Sequence, residues 1–126
     1  MLSAMPKQAI NPNEHSYAQA QLVSSPSRWL FISGQVPADA NGDVPKTFEA
    51  QCRLAWRNVQ AQLAAAGMAM TDLVKVTVFL SDRKYRAANA MVRKEVLGAH
   101  TPALTIIITG IYDEEWLLEI EAIAAA

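Results

Sequence analysis

A central β-strand is predicted at residues 73–80, which read LVKVTVFL. The even-numbered positions are all valine or leucine, whereas the odd-numbered ones include Lys75 and Thr77. Successive side chains of a strand point to opposite faces of its sheet, and β-branched residues favour this conformation. The segment therefore predicts a strand with one face turned into a hydrophobic core.

Two amphipathic helices are predicted on either side of this strand. The first covers residues 48–66, where apolar residues recur at helical spacing, with Thr47 as its N-cap and Gly67 as its end. The second covers residues 83–97 and begins after Asp82, another residue suited to capping. Each helix presents one apolar stripe that can pack against the sheet.

Four further strands complete the predicted fold. They are Tyr17–Val23, Trp29–Ser33, Ala103–Thr109 and Trp116–Ala124. The turn residues 24–27 predict a hairpin between the first two, and residues 1–14 predict an irregular lead-in. The order β-β-α-β-α-β-β predicts an α+β two-layer sandwich, with the helices on one face of the sheet, as a single domain over residues 1–126.

The strand at residues 103–109 is apolar on both faces, because Leu104 and Ile106 alternate with Ile107. A sheet covered by helices on one side only is expected to be polar on the other. A second copy of the chain is the simplest cover for the remaining apolar face. The pattern therefore predicts a homo-oligomer.

Composition and charge exclude several classes of function. The 126 residues include 11 Lys and Arg against 12 Asp and Glu, and the basic residues are scattered, which disfavours nucleic acid as a partner. No apolar run approaches the ~20 residues of a membrane-spanning helix. A single cysteine, Cys52, and an N-terminus unlike a signal peptide predict a cytoplasmic setting. One cysteine and two distant histidines, His15 and His100, also argue against a closed zinc site.

Several polar residues occupy unexpected positions. Asn89 lies on the apolar stripe of the second helix, where a buried amide either tethers the fold or contacts a ligand. Glu119 and Glu121 alternate among apolar residues, where a carboxylate that loses water can exchange protons near neutrality, although exposed or ion-paired glutamates are the common case. Ser33 and Gly34 follow a strand, which is either a ligand-binding position or a plain loop.

Three other side chains have alternative interpretations. Tyr17 is either a core residue or a ligand contact through its hydroxyl group, and His15 shares its face if the strand begins early. Cys52 lies on the first helical stripe and is predicted to be a small buried hydrophobe rather than a nucleophile.

Six segments together resemble one known family. They are LFISGQVP at 30–37, AAAGM at 64–68, DLVKVTVFLSD at 72–82, YRAANAMV at 85–92, HTPALT at 100–105 and LLEIEAIA at 117–124. With Tyr17, they resemble the RidA/YjgF family of reactive-intermediate deaminases from about residue 17 to residue 124. The resemblance implies a chorismate-mutase-like fold and a homotrimer with small-molecule clefts between subunits. It also implies hydrolysis of imines and enamines to a keto acid and ammonia, without metal or cofactor.

The same resemblance implies the members of the site. Its ligand-binding residues would be Tyr17, Ser33, Gly34, Asn89, Ala103 and Leu104. Glu119 would be the catalytic residue that positions or activates water.

The sequence departs from the family pattern at Leu104. Members of the deaminase type carry arginine there, after Pro-Ala, and that arginine holds the substrate carboxylate. Leucine offers no donor, and Ile106 replaces a frequent cysteine. The change predicts an altered ligand, a different anchor such as Arg28 or His15, or a site without turnover.

Three functions therefore remain open. The leading hypothesis is a cofactor-free hydrolase of imine or enamine intermediates with an altered substrate range. The second is a non-catalytic protein that binds a small metabolite or regulates through it. The third is the endoribonuclease or translation-inhibitor function named for some relatives, which the balanced charge disfavours.

Overall fold

Six strands and two α-helices make up residues 7–126, the part of the chain that the computed structural model describes. The strands are β1 (Lys7–Pro12), β2 (Ala18–Val23), β3 (Trp29–Gln35), β4 (Leu73–Leu80), β5 (Ala103–Ile108) and β6 (Leu118–Ala125). The helices are α1 (Phe48–Ala65) and α2 (Arg86–Leu97), and short 3₁₀ turns at Met70–Asp72 and Arg83–Tyr85 precede β4 and α2.

The sheet is centred on β4. Its strand order is β1-β2-β5-β4-β6-β3, and β4 pairs in parallel with β5 and antiparallel with β6. Val76, Val78 and Leu80 are fully buried in the core that the sheet forms with the helices. The predicted α+β architecture, with both helices on one face of the sheet, is confirmed.

The first helix forms as its sequence predicts. Cys52 and Val59 are fully buried on its apolar stripe, and the Thr47 hydroxyl accepts a hydrogen bond from the Ala50 N–H at 3.2 Å. Gly67 follows the helix with a positive φ of 70°, a conformation that glycine adopts at little cost. Neither this helix nor any other within residues 7–126 combines the length and the hydropathy that a membrane crossing requires.

The expected irregular lead-in is wrong for residues 7–12, whereas residues 13 and 14 lie outside any strand or helix, as expected. Residues 7–12 form β1, which pairs antiparallel with β2 from Lys7 opposite Val23 onward. Asn11 has a positive φ of 50° and Pro12 follows it, so the end of the strand carries residues typical of a turn. Because of these turn-forming residues, the sequence does not predict the strand. The remaining part of the expected lead-in, residues 1–6, lies outside the described residues.

The predicted hairpin between β2 and β3 is also wrong. β2 lies between β1 and β5, whereas β3 occupies the opposite edge of the sheet beside β6. The turn residues between the two strands do bend the chain, with Ser25 at a positive φ of 48°. Turn chemistry fixes where a chain bends, but it does not choose the partner of the strand that follows.

The sheet face away from the helices carries a large exposed apolar surface. Phe31 is 73% exposed, Trp29 is 50% exposed and Ile107 is 41% exposed. The Trp29 and Phe31 rings stack with their centroids 6.4 Å apart, and an exposed apolar patch of this kind is typical of an interaction site. The expected homo-oligomer, which rests on this two-sided apolar sheet, stays a prediction.

Candidate functional site

A cleft of about 900 Å³ lies between α2, the ends of β4 and β5, and the segment that joins β1 to β2. It is lined by His15, Tyr17, Leu80, Arg83, Lys84, Arg86, Ala87, Asn89, Ala90, Arg93, Ile106 and Ile108. Its volume falls within the range of about 300–1,000 Å³ that is usual for small-molecule sites. Tyr17 and Asn89, which the sequence analysis singled out separately, therefore line one cleft.

Asn89 is buried with an unused hydrogen-bond donor. Its side chain is 1% exposed, and its Oδ1 accepts a weak hydrogen bond from the Cys52 thiol at 3.9 Å. Its Nδ2 has no partner among residues 7–126. A buried donor left unpaired costs about 1–3 kcal/mol, and a purely structural tether would use it. The amide is therefore available to a ligand in the cleft.

Arg93 is the residue of this cleft that the sequence analysis missed. Its side chain is only 4% exposed, and Nη2 donates to the carbonyl oxygen of His15 at 3.0 Å. Nε and Nη1 have no partner among the described residues. Burial lowers the pKa of Arg93 below its usual value, an effect that nearby Tyr17 opposes. One signal was available in the sequence, because Arg93 follows Asn89 by four residues and so shares its helical face.

Exposed positive charge surrounds the same cleft. Arg83 and Lys84 belong to the 3₁₀ turn before α2, and Arg86 begins the helix itself. No aspartate or glutamate is among the described residues that line the cleft. The local run of basic residues at 83–86 therefore lies at the mouth of the cleft together with Arg93, and this charge favours an anionic ligand.

A second group of predicted site residues meets on the other face of the sheet. The pairing of β3 with β6 is irregular between Ile32 and Gln35, which places Gly34 at the irregularity. A Cβ atom on Gly34 would lie 2.7 Å from both Cδ and Oε2 of Glu119. Only glycine leaves room for this carboxylate, and exposed Ser33 lies beside it.

The sheet of a single chain separates this second group from the cleft. Glu119 is paired with Phe79 and lies on the open face, whereas Leu104 is paired with Val76 and packs against the helix-side core. Leu104 therefore does not remove water from Glu119 within one chain, although the sequence places Glu119 among apolar residues. Both groups nevertheless lie at the same end of the sheet, because Leu80 of the cleft is paired with Leu118, the residue before Glu119.

The remaining candidate residues differ in their position relative to the cleft. Ala103 begins β5 opposite Ala18, the residue after Tyr17. Arg28, one of the two suggested anchors, donates to the Ala66 carbonyl oxygen at 2.7 Å and is not among the residues lining the cleft. His15, the other suggested anchor, does line it.

Two further observations concern the chemistry of other groups. Burial raises the pKa of the Cys52 thiol to about 12, so this residue is a buried hydrophobe, as predicted. Glu121 is exposed beside a hollow that Lys75 also lines. Within residues 7–126, Glu121 forms no ion pair. The Lys75 ammonium donates a hydrogen bond to Thr105 Oγ1 at 2.6 Å instead. No three histidine, cysteine, aspartate or glutamate side chains in the described part of the chain are placed to share a metal ion.

The fold and the cleft define a class of small α+β proteins with a basic cleft and with exposed apolar side chains on the open face of the sheet. The family model described as endoribonuclease L-PSP matches residues 7–126, and the chain belongs to this family, the RidA/YjgF family. The resemblance found in the sequence is therefore confirmed.

Individual relatives agree with this assignment. The chain is 38% identical over 98 residues to a RutC family protein of Pyrococcus horikoshii, covering 76% of this chain and 78% of that protein. It is 34% identical over 99 residues to TdcF of Escherichia coli K12, and the match covers 75% of this chain and 77% of that protein. The name of TdcF assigns it provisionally as a reactive intermediate deaminase. The crystal structure of YyfB, a Rid family protein of unknown function from Yersinia pestis, superimposes with a TM-score of 0.85 at 26% identity, covering 97% of this chain and all of that one (100%).

Proposed function

We propose that this protein is a cofactor-free hydrolase of imine or enamine intermediates that works as a homotrimer with its clefts between subunits. The observation that carries the proposal is the Glu119 carboxylate, which occupies the space left by Gly34 at the same end of the sheet as the cleft. Among residues 7–126 this carboxylate forms no ion pair, so it is free to act on water. The name of the relative TdcF supports the same chemistry.

The reaction needs one group that both accepts and returns a proton. Glu119 accepts a proton from water as the water oxygen forms a bond to the carbon of the protonated imine, which gives a neutral carbinolamine. Glu119 then returns this proton to the carbinolamine nitrogen, so the carboxylate is regenerated. The C–N bond breaks as ammonia leaves, and the carbinolamine hydroxyl group gives its proton to the departing ammonia as the carbonyl forms, so the products are the carbonyl compound and ammonium.

The separation of Glu119 from the cleft supports the oligomer. In one chain the sheet lies between the Glu119 carboxylate and the cleft residues Tyr17 and Asn89. A neighbouring copy in a homotrimer can bring its own Glu119 to the end of the sheet where the cleft of the first copy opens. Light scattering at micromolar concentration is expected to give the mass of a trimer, and a monomer mass would contradict this assembly.

A matched pair of variants tests the catalytic role. A panel of 2-imino acids, generated in situ by a dehydratase or an amino-acid oxidase, is followed by ammonia release. We expect the wild-type protein to accelerate release for at least one member of the panel and Glu119→Gln to return the rate to the uncatalysed background. Glu121→Gln, two residues along the same strand face, is expected to keep most of the activity. Equal rates for wild type and Glu119→Gln would refute the assigned role.

The second candidate is a non-catalytic metabolite-binding protein. The observation that favours it is Leu104, which packs against the core and is not among the residues that line the cleft, where the deaminase type is expected to carry an arginine. This candidate predicts ligand binding without ammonia release from any member of the panel. Wild-type activity above background would exclude it.

A further inference from the structure

We infer that Arg93 is the anchor for an anionic group of the ligand, in place of the arginine that is absent at position 104, and that the ligand is a small carboxylate. The inference rests on the proposed function in one respect: that function identifies the carboxylate as belonging to a small 2-imino or 2-oxo acid. It assigns a binding role to a side chain of α2, on a different element from Leu104 of β5.

The unpartnered atoms of Arg93 carry the argument. A guanidinium group has five N–H donors and stays charged at any physiological pH. Here Nη2 reaches the His15 carbonyl oxygen, and both Nε and Nη1 lack a partner among residues 7–126 although the side chain is only 4% exposed. A buried charge without a counter-ion is costly, so its free donors indicate a missing anion rather than a structural contact.

The neighbours of Arg93 agree with an anion. Asn89 adds a second buried donor without a partner, Nδ2, and Tyr17 lines the same cleft. The described lining contains no carboxylate that could neutralise the guanidinium. Burial lowers the pKa of Arg93, as expected for a cation whose solvent has been removed and not replaced by an acidic partner.

The position of the free donors favours a small ligand over a polymer. A nucleic-acid backbone is held mainly by exposed lysine and arginine side chains along its path. Arg83, Lys84 and Arg86 are exposed in this way, but the unpartnered donors belong to Arg93, which is buried. Only a group that can enter the cleft reaches them, and a carboxylate accepts strong charge-assisted hydrogen bonds from a guanidinium.

The test compares a charged and an uncharged probe of the same shape. Calorimetry or NMR titration of the full chain measures binding of 2-oxobutyrate, a stable keto acid, and of its uncharged amide, 2-oxobutyramide. We expect wild type to prefer the carboxylate by at least about tenfold, the usual value of a charged hydrogen bond. Arg93→Met is expected to abolish this preference, while Arg93→Lys retains part of it. Arg57→Met, which removes an exposed arginine of α1 outside the cleft, is expected to leave the preference unchanged.

Each outcome decides the inference. Equal weakening of both probes by Arg93→Met would indicate a structural role and overturn it, and so would an unchanged preference or the absence of 2-oxobutyrate binding to wild type. Tighter binding of inorganic phosphate or of a short RNA than of 2-oxobutyrate would overturn the carboxylate class. If Arg93→Met does not fold, as judged by circular dichroism, loss or retention of the preference in Arg93→Lys decides instead.

Carboxylate binding through Arg93 without imine hydrolysis would refute the proposed function alone, whereas hydrolysis that Arg93→Met leaves unchanged would refute this inference alone.

Discussion

Replacement of Gly34 by alanine is expected to displace the Glu119 carboxylate while leaving the fold intact. The new Cβ would lie 2.7 Å from Cδ and Oε2 of Glu119, whereas ordinary van der Waals contact begins at 3.4 Å. The carboxylate must therefore move by about 0.7 Å or more, and a misplacement of ~1 Å can reduce a rate about 100-fold. Because the displaced group is the end of a flexible side chain, the free energy of unfolding should change by less than about 1 kcal/mol.

The assay for Gly34→Ala is ammonia release from the best 2-imino acid of the panel, with a urea titration for stability. We expect at least a tenfold loss of rate with little change in the urea midpoint. Gly110→Ala is the matched control, because a Cβ at Gly110 would meet nothing within 4 Å and its backbone has no positive φ. Unchanged turnover in Gly34→Ala, with an active wild type, would refute the argument that Gly34 positions Glu119.

Two other substitutions test separate parts of the account. Leu104→Arg is expected not to raise the rate with 2-iminopropionate or 2-iminobutyrate in a coupled dehydratase assay, because Leu104 packs against the core outside the cleft lining, where Arg93 supplies the anchor. A charged hydrogen bond contributes ~1.5–3 kcal/mol, so a gain of about tenfold or more would show that position 104 reaches the ligand and would contradict this placement. Asp72 tests acid stability: burial would raise its pKa, but the Ala69 N–H and the Lys7 ammonium, 2.9 Å from Oδ1, outweigh burial and hold the pKa below its ordinary value of 3.8. The ionised Asp72 therefore contributes its full stabilisation well above pH 3.8, and this stabilisation is lost as the pH falls through the lowered pKa. Urea titrations should show Asp72→Asn about 1 kcal/mol less stable than wild type at pH 7, and the difference should shrink as the pH falls below 3.8. A difference that stays constant with pH would contradict the ion pair.

The elements that the sequence predicted best are those with strong local periodicity. α1 carries its stripe, its Thr47 cap and its Gly67 terminus in consecutive residues, and β4 carries its own alternation. β1 was missed because Asn11 and Pro12 are typical of turns. The pairing of β3 with β6 was missed because it joins segments far apart in the chain, and no local pattern encodes such a partner.

The site was only partly predictable for the same reason. The contact between Gly34 and Glu119 depends on an irregularity between two strands, and it exists only after the sheet has formed. Arg93 was missed because arginine is usually exposed on a helix, and its burial depends on the packing of the segment around His15. A family pattern directs attention to position 104, where the donor is missing, and not to the neighbouring helix.

The most direct test of the central claim is a crystal structure of the protein with 2-oxobutyrate bound. The account predicts a trimer in which the ligand carboxylate contacts the Arg93 guanidinium and the ligand carbonyl carbon lies beside Glu119 of the partner subunit. A ligand bound elsewhere, or a Glu119 side chain that faces solvent away from every cleft, would contradict the proposed hydrolase.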